Sequence, residues 1–367
     1  MKNLKMIALA CLALPALASA KHVIADGKNS LEVNGQLGTA FETGVKQDTT
    51  TSYKNTKYNG VVINTANIAF SGAIDEQFVY RFRLRMKQEN SSKPTDTTAN
   101  HTHSAYNMVD YALAGYSFMP QLTVVMGKVD VGGGFDYQSS IMSPLTFAQD
   151  ADVFFGMGTA NGVRAFGTFM EMIEWSLTAV NSYDYNGTSK FEAANDNRSM
   201  DYVASIGHHS KDAADAEGYN ATGDFKHAIT LDYAQLDNGK TPNHRKIYAA
   251  NGFFSYQNAI LHTAMTTETT KQRHDDFWTV GAGYLFNKTF RPALTVSSVR
   301  SFSVTGDKGT HRIFAANLTR FHADNKWRSY AEVSMTSKSS EAKLAASAAA
   351  YKNVTPWKAS VGMTVNF

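Results

Sequence analysis

Apolar and polar side chains alternate at every second position over most of this chain. In residues 77–87, one set of alternate positions is apolar, and the other holds Gln77, Val79 and four cations. Because successive side chains of a strand point to opposite faces, this period predicts a β-strand with one apolar and one basic face. The same alternation recurs in residues 31–41, 66–74, 225–233, 248–256, 278–286, 327–335 and 357–367.

Two kinds of connection separate these predicted strands. Some are short and polar, as at Asp75-Glu76, whereas others are long and rich in Thr, Asn, Ser, Lys and Asp. The two kinds alternate through the first half of the chain, which is typical of hairpins joined at opposite rims of a barrel. Residues 210–224 fit poorly, because they are long and polar where a short turn is expected. We predict an all-β, antiparallel barrel of about sixteen strands, with fourteen to eighteen allowed.

The first twenty residues have the features of a secretory signal peptide. Lys2 and Lys5 form a basic start, and an apolar stretch follows them. Ala18 and Ala20 then supply the small residues that signal peptidase accepts, so we expect cleavage after Ala20. The predicted organisation is a signal peptide at residues 1–20 and a single transmembrane β-barrel domain at residues 21–367.

The mature chain is expected to be nearly neutral and free of thiols. Cys11 is the one cysteine of the sequence, and it lies within the predicted signal peptide. Removing Lys2 and Lys5 leaves 33 basic residues against 32 acidic ones, a net charge of +1. This balance argues against a general nucleic-acid binder. An exported chain of this size without disulfides depends on backbone pairing and packing for its stability.

Three features favour a membrane barrel over a soluble β-sandwich. The polar faces carry small residues and stacked like charges, which a water-filled lumen tolerates. The chain also ends on its apolar face, at Phe367. Finally, aromatic residues cluster near strand ends, where rings favour the boundary between hydrocarbon and headgroups. The residues assigned to these boundaries are Phe70, Phe78, Tyr80, Tyr116, Phe118, Tyr284, Phe286, Phe290, Phe321, Trp327 and Tyr330.

The signal peptide, the alternating strands and the closing segment 357–367 together resemble the general, trimeric porins of Gram-negative outer membranes. Leu122–Lys128 is similar to the fifth strand of that family, which leads into a long third loop. Asn161–Arg164 looks like the start of the sixth strand, and Phe166 suits an aromatic position of that strand. The resemblance covers the whole mature chain as a pattern and these short stretches as motifs.

The resemblance implies a sixteen-stranded barrel in a homotrimer, with the third loop folded into the lumen. Residues 132–160 form the longest predicted connection and are unusually apolar for an exposed loop, which agrees with packing against a barrel wall. The resemblance also makes Met363, Val365 and Phe367 the assembly signal that the barrel-assembly machinery recognises. The other expected partners are outer-membrane lipid, lipopolysaccharide, small hydrophilic solutes and ions, and nucleic acid is not among them.

An open pore selects solutes by its width and by charged rings, and it needs no catalytic group or cofactor. The basic residues expected on the wall are Arg81, Arg83, Arg85, Lys87 and Arg164. The acidic residues expected in the long loop are Asp136, Asp150 and Asp152. The resemblance implies that the two sets face each other across a constriction, and the wall cations predict a mild preference for anions. Alternatively, the arginines pair with carboxylates on neighbouring strands.

The expected function is therefore passive diffusion of small hydrophilic solutes and ions through the outer membrane, without enzymatic activity. The open alternatives are a substrate-selective channel for sugars, phosphate or peptides, an outer-membrane β-barrel enzyme and a soluble secreted β-protein. No metal site is predicted at His208-His209 or at His101 and His103, because no cysteine or well-spaced carboxylate supports either pair. The hydrolase, phosphate-loop and dinucleotide motifs are absent from the sequence.

Overall fold

A computed structural model describes the strands of the chain and the tight turns between them. The described residues are 22–48, 54–85, 109–130, 159–181, 200–210, 224–236, 245–271, 273–287, 289–303, 308–322, 327–338 and 353–366. They form seventeen β-strands and contain no helix. In particular, none of these residues belongs to a helix that is long and apolar enough to cross a bilayer.

The strands are mostly 8 to 15 residues long, with two longer ones near the N-terminus. They are β1 (His22–Asp26), β2 (Asn29–Asp48), β3 (Lys54–Ile74), β4 (Phe78–Arg85), β5 (Val109–Met119), β6 (Leu122–Asp130), β7 (Thr159–Phe169), β8 (Ile173–Asn181), β9 (Met200–His209), β10 (Lys226–Leu236), β11 (Arg245–Tyr256), β12 (Ala259–Thr269), β13 (Arg273–Tyr284), β14 (Phe290–Ser303), β15 (Lys308–His322), β16 (Trp327–Lys338) and β17 (Asn353–Asn366).

Sixteen of these strands close into one barrel. From β2 to β17, each strand pairs antiparallel with the next one in the chain. The last strand then returns to the first, because β17 pairs with residues 36–48 of β2. The prediction of an all-β, antiparallel barrel of about sixteen strands is confirmed.

One rim of the barrel carries the tight turns. The β3–β4 turn at Asp75-Glu76 and the β7–β8 turn at Met170-Glu171 each hold two consecutive residues at positive φ, between 51° and 61°. This backbone is that of the two-residue type I′ hairpin, whose twist matches the twist of the flanking strands. Strand β9 ends at the same rim, because His208 pairs with Ile173 beside the β7–β8 turn.

The short strand β1 lies in line with the last strand of the barrel. It pairs with residues 29–33 of β2, whereas β17 pairs with residues 36–48 of the same strand. The other edge of β2 is taken by β3 from Ser30 to Asp48. Because a strand has only two edges, β1 and β17 must share one of them, one beyond the other. The start of the described chain therefore extends the strand with which the barrel closes.

An ion pair joins the two strands of this closure. The carboxylate of Glu42 on β2 lies 2.5 Å from the Nζ atom of Lys358 on β17. The two side chains are 13% and 28% exposed, so water screens the pair only partly. The pair ties residues that are far apart in the sequence, and the opposite charges fix the register of the seam.

We expect Glu42→Gln to lower the free energy of unfolding by about 1 kcal/mol, the upper end for a partly exposed pair. The check is urea-induced unfolding of the purified barrel in detergent, with Lys358→Gln and the double variant measured alongside. If the pair acts as described, the double variant loses less stability than the two single variants combined. Additive losses would show that the two charges act independently.

Candidate pore wall

Along the strands, apolar side chains are exposed and polar side chains are buried, which is the reverse of the pattern in a soluble protein. On β12, the outward residues Leu261 and Met265 are 41% and 60% exposed, whereas the inward residues Thr266 and Glu268 are 3% and 5% exposed. The same alternation of buried polar and exposed apolar side chains continues through the neighbouring strands. A sheet with an apolar convex face and a polar concave face is suited to lipid outside and water inside.

Three of the predicted wall cations form one row on the inner face of β4. Arg81, Arg83 and Arg85 occupy alternate positions, opposite Ser71, Ala69 and Asn67 of β3. Alternate residues of a strand are about 7 Å apart, so three like charges lie within about 14 Å along the strand. Glu32 also faces inward, on β2, and its carboxylate accepts a hydrogen bond of 2.7 Å from Asn34. The inner wall near β4 is therefore strongly basic.

Tyr111 lies between two of these arginines. It faces Arg83 across the β4–β5 pair and is 7% exposed. The guanidinium carbons of Arg83 and Arg81 lie 4.1 and 4.9 Å from the centre of its ring, so cation–π contacts orient both side chains. The sequence interpretation missed Tyr111, although the inward positions 111, 113 and 115 follow a period of two. Only the strand register reveals that this ring meets the arginines.

Arg164 also lies on the inner wall, but it does not join the row on β4. It stands on β7, 7% exposed, with its guanidinium 5.4 Å from the ring centre of Phe166. Arg164 is paired with Val125 on β6, Val125 with Gly115 on β5, and Gly115 with Val79 on β4. Three strand spacings therefore separate Arg164 from β4. At about 4.8 Å per spacing, this distance is roughly 14 Å. The wall thus carries two separate basic positions instead of one cluster.

Carboxylates elsewhere on the inner wall are held by neighbouring side chains. Asp232 accepts a hydrogen bond of 2.5 Å from Ser205, and Glu332 accepts one of 3.0 Å from Asn317. Glu268 forms an ion pair with Arg245 on the adjacent strand. The hydrogen bonds hold Asp232 and Glu332 in place without removing their charge, whereas Arg245 offsets the charge of Glu268.

The inner wall also carries an apolar patch that the sequence interpretation missed. Its members are Val125, Val129, Ala160, Val180, Val203, Ala234, Leu236, Ile247 and Ala249, on β6 to β11. Val129 and Ala160 face each other across the β6–β7 pair and are 0% and 1% exposed. They are the last inward residues before residues 131–158, which connect the two strands. An inward apolar patch of this size departs from the uniformly polar face that the alternation predicted.

Two aromatic residues assigned to the outer boundary face inward instead. Tyr330 is 4% exposed and lies opposite Gly362, and its ring carbon Cζ would meet a Cβ atom at that glycine within 2.7 Å. Phe321 is 4% exposed, with the buried guanidinium of Arg291 5.2 Å from its ring centre. Aromatic character alone gave no information on the face, whereas the alternation from Trp327 assigns Tyr330 to the inner one. Other residues assigned to the boundary do face outward, at the rim that carries the tight turns. They include the aromatic pairs Tyr116–Phe118 and Tyr284–Phe286.

Several predicted positions lie outside the described residues. These are Ala18 and Ala20 of the cleavage site, Lys87, the loop acids Asp136, Asp150 and Asp152, and Phe367. Of the assembly signal, Met363 and Val365 are described: they are 6% and 1% exposed and pack with Trp327 of β16. Among the described residues, no group of three or more metal-binding side chains comes together.

The comparisons with known proteins agree with this architecture. No protein-family model and no curated protein sequence matches the chain. Among solved structures, OmpF of Salmonella typhi in complex with daunomycin is similar over 94% of this chain and 100% of that one, with a TM-score of 0.60 and 14% identity. The anion-selective porin from Comamonas acidovorans matches over 92% and 100%, with a TM-score of 0.59 and 9% identity.

A third similar structure is the trimer form of in-vitro folded OmpT, an outer membrane protein of Vibrio cholerae. It matches over 92% of this chain and 99% of that one, with a TM-score of 0.55 and 9% identity. Identities this low show a shared fold and nothing more. The chain therefore has the closed-barrel fold of outer-membrane porins.

Proposed function

We propose that this chain forms an outer-membrane channel through which small hydrophilic solutes and ions diffuse passively. The observation that supports it most is the combination of a closed sixteen-stranded barrel with an apolar outer face and a polar, partly basic inner face. Such a barrel exposes hydrocarbon-compatible side chains to lipid and keeps its backbone groups paired, because no strand edge is left inside the membrane. Passage needs neither a catalytic group nor a cofactor.

We further propose that residues 131–158 fold into the lumen and narrow it. The two ends of this segment leave the wall beside Val129 and Ala160, at the apolar patch. An apolar patch in a water-filled channel is stabilised by an apolar cover, and the segment supplies Phe135, Ile141 and Phe154 for this purpose. Asp136, Asp150 and Asp152 would then face the wall cations, with Lys87 continuing the row of Arg81, Arg83 and Arg85.

A mild preference for anions is the selectivity that this wall supports. The cations of β4 lie in one row with Tyr111 between two of them, and on another part of the wall the carboxylate of Glu268 is paired with Arg245. A fixed excess of positive charge at a narrow point attracts anions and repels cations. One similar structure is described as an anion-selective porin, which agrees with this proposal but does not extend to this chain by itself.

Assembly and export belong to the same proposal. We propose a homotrimer, because a protein with the same fold was solved in a trimer form. The signal peptide at residues 1–20 would direct export with cleavage after Ala20. The barrel-assembly machinery would recognise the end of β17 through Met363, Val365 and Phe367, and the mature domain would lie in the outer membrane among phospholipid and lipopolysaccharide.

We expect the purified protein to produce stepwise conductance in a planar bilayer, rising linearly with KCl concentration. The reason is that a water-filled pore conducts in proportion to its mobile ions. A KCl gradient measured in the same bilayer gives the sign of the reversal potential, and the expected sign is that of anion preference. Absence of conductance steps from a correctly folded barrel would refute the channel, whereas clear cation selectivity would refute only the selectivity.

A substrate-selective channel is the second candidate, and Tyr111 favours it. Two guanidinium groups that contact one ring must lie within about 9 Å of each other, a spacing that one organic anion spans. Binding at this pair would make conductance saturable. Titration of a dicarboxylate into the bilayer chamber separates the two candidates, because concentration-dependent block occurs only if the anion binds in the pore.

A further inference from the structure

The outward faces of β13 and β15 change from apolar to charged towards the long-loop rim, and β14 lies between these two strands. On β13, the change falls between Trp278 and Asp276, and on β15 it falls between Phe314 and Arg312. On β14, the outward positions continue from Ser298 through Arg300 to Phe302, whose ring centre lies 6.0 Å from that of His274. Trp278 and Phe314 are 37% and 46% exposed, as expected for rings at a lipid boundary. β13 and β15 thus mark the same boundary on either side of β14.

Arg300 and Arg312 lie side by side above this boundary. Arg300 on β14 is paired with Thr310 on β15. Arg312 on β15 is paired with Ser298, which lies two positions before Arg300 on β14. The two arginines are therefore diagonal neighbours on one face, about 7–8 Å apart at the backbone. Both side chains are exposed, and neither forms an ion pair with any residue in the described ranges. Two guanidinium groups with this spacing are available to one external anion.

The outward carboxylate nearest to this pair is already engaged. Asp276 lies opposite Arg300, but its Oδ1 atom is 3.1 Å from Nε2 of His274 and accepts a hydrogen bond of 3.0 Å from Thr267. The two arginines therefore keep their positive charge at the surface. An anionic ligand here would be attracted by both cations and repelled by the single carboxylate of Asp276.

The depth of the pair corresponds to a headgroup layer. Arg312 and Arg320 are outward residues of β15, eight positions apart, which is about 27 Å along the strand. With the strand tilt of about 35–45° in such barrels, the separation along the membrane normal is about 20 Å, close to the height of the apolar band. Phe314 and Leu318 fill the interval. Arg320 therefore marks the opposite, short-turn boundary, where it stacks 5.3 Å from the ring centre of Phe290.

We propose that Arg300 and Arg312 bind a phosphate group of lipid A, the phosphorylated glycolipid of the outer leaflet. Guanidinium groups bind phosphate through paired, charge-assisted hydrogen bonds, and an exposed arginine at the hydrocarbon boundary is stabilised by an anionic headgroup. Thr310, which is half-buried, lies on the same face. The inference rests on the proposed outer-membrane location, since it takes the long-loop rim to be the outer one.

The test measures binding of purified, bisphosphorylated lipid A to the detergent-solubilised protein by native mass spectrometry. We expect the double variant R300Q/R312Q to bind it about tenfold more weakly than the wild type does. Lipid A treated with a phosphatase should bind both proteins equally. Arg320→Gln is the matched control, because it removes an outward arginine at the other boundary, and its lipid A binding should remain at the wild-type level.

Each other outcome overturns the proposal. Equal binding of bisphosphorylated lipid A to wild type and R300Q/R312Q would show that the pair is not the site. Equal weakening for phosphatidylglycerol would show a site for any anionic lipid instead of lipid A. If the double variant fails to fold, R300K/R312K replaces it, since lysine keeps the charge and loses the paired hydrogen bonds. Bilayer conductance of each variant, expected to be unchanged, keeps this result separate from the test of the channel.

Discussion

Replacing Arg81 and Arg83 together by glutamine is expected to abolish the anion preference of the channel. The two guanidinium groups flank Tyr111 on the inner wall, where a permeating ion passes closest to β4. A unit charge about 7 Å from an anion contributes about 0.6 kcal/mol in water, close to the thermal energy. Loss of two such charges should lower the permeability to anions roughly sevenfold at low ionic strength and raise the permeability to cations, so the ratio of the two falls.

Reversal potentials in a KCl gradient measure this ratio directly. The gradient should be set near 0.01 M, where the Debye length is about 30 Å and fixed charges act at full range. R300Q/R312Q is the control, because it removes the same number of arginines from the outer face and should leave the reversal potential unchanged. An unchanged potential in R81Q/R83Q would mean that other charges set the selectivity.

Gly362→Ala is expected to destabilise the barrel by about 3 kcal/mol, the upper end of the range for overpacking. A Cβ atom at this position would lie 2.5 Å from the backbone oxygen of Thr39 and 2.7 Å from the ring of Tyr330. Thr39 is fixed in the paired strand β2, and Tyr330 is 4% exposed, so neither has room to move. The added methyl group therefore strains the seam at which β17 meets β2.

Gly60→Ala is the matched control for this substitution. It is also a strand glycine, on β3, but no atom lies within 4 Å of the position that its Cβ would occupy. The two variants share the change in backbone entropy and differ in the collision. Urea unfolding in detergent should show a large loss of stability for the first variant and almost none for the second. Equal losses would mean that the collision is relieved by small movements of the strands.

The barrel and its strands were predictable because lipid and water impose a period of two on every strand. Residues 77–87 illustrate this: the alternation alone predicted β4 and the row of Arg81, Arg83 and Arg85, which lies on the inner face. The sequence also indicated the two kinds of connection, because a tight turn such as Asp75-Glu76 leaves a short polar gap. Local periodicity suffices when each strand meets the same two solvents.

The contacts that could not be predicted are those between residues on neighbouring strands. Tyr111 meets Arg81 and Arg83 only through the β4–β5 register, and no local pattern encodes that register. Arg164 shares the basic character of the row, yet two strands stand between β7 and β4. Phe321 was assigned to the lipid boundary by its chemistry, although its ring is covered by Arg291 from the inside. Cross-strand pairing determines these details.

The shared edge of β2 has a consequence for the time course of folding. Gln36 pairs with Asn366, although about 330 residues separate them in the chain. Until that contact forms, the sheet is an open ribbon with two unpaired edges, which are templates for aggregation. Because contacts between residues so far apart in the sequence form slowly, we expect the pairing of β17 with β2 to be a slow step of folding. A chaperone that covers both edges until β17 pairs with β2 would protect the chain from aggregation during this interval.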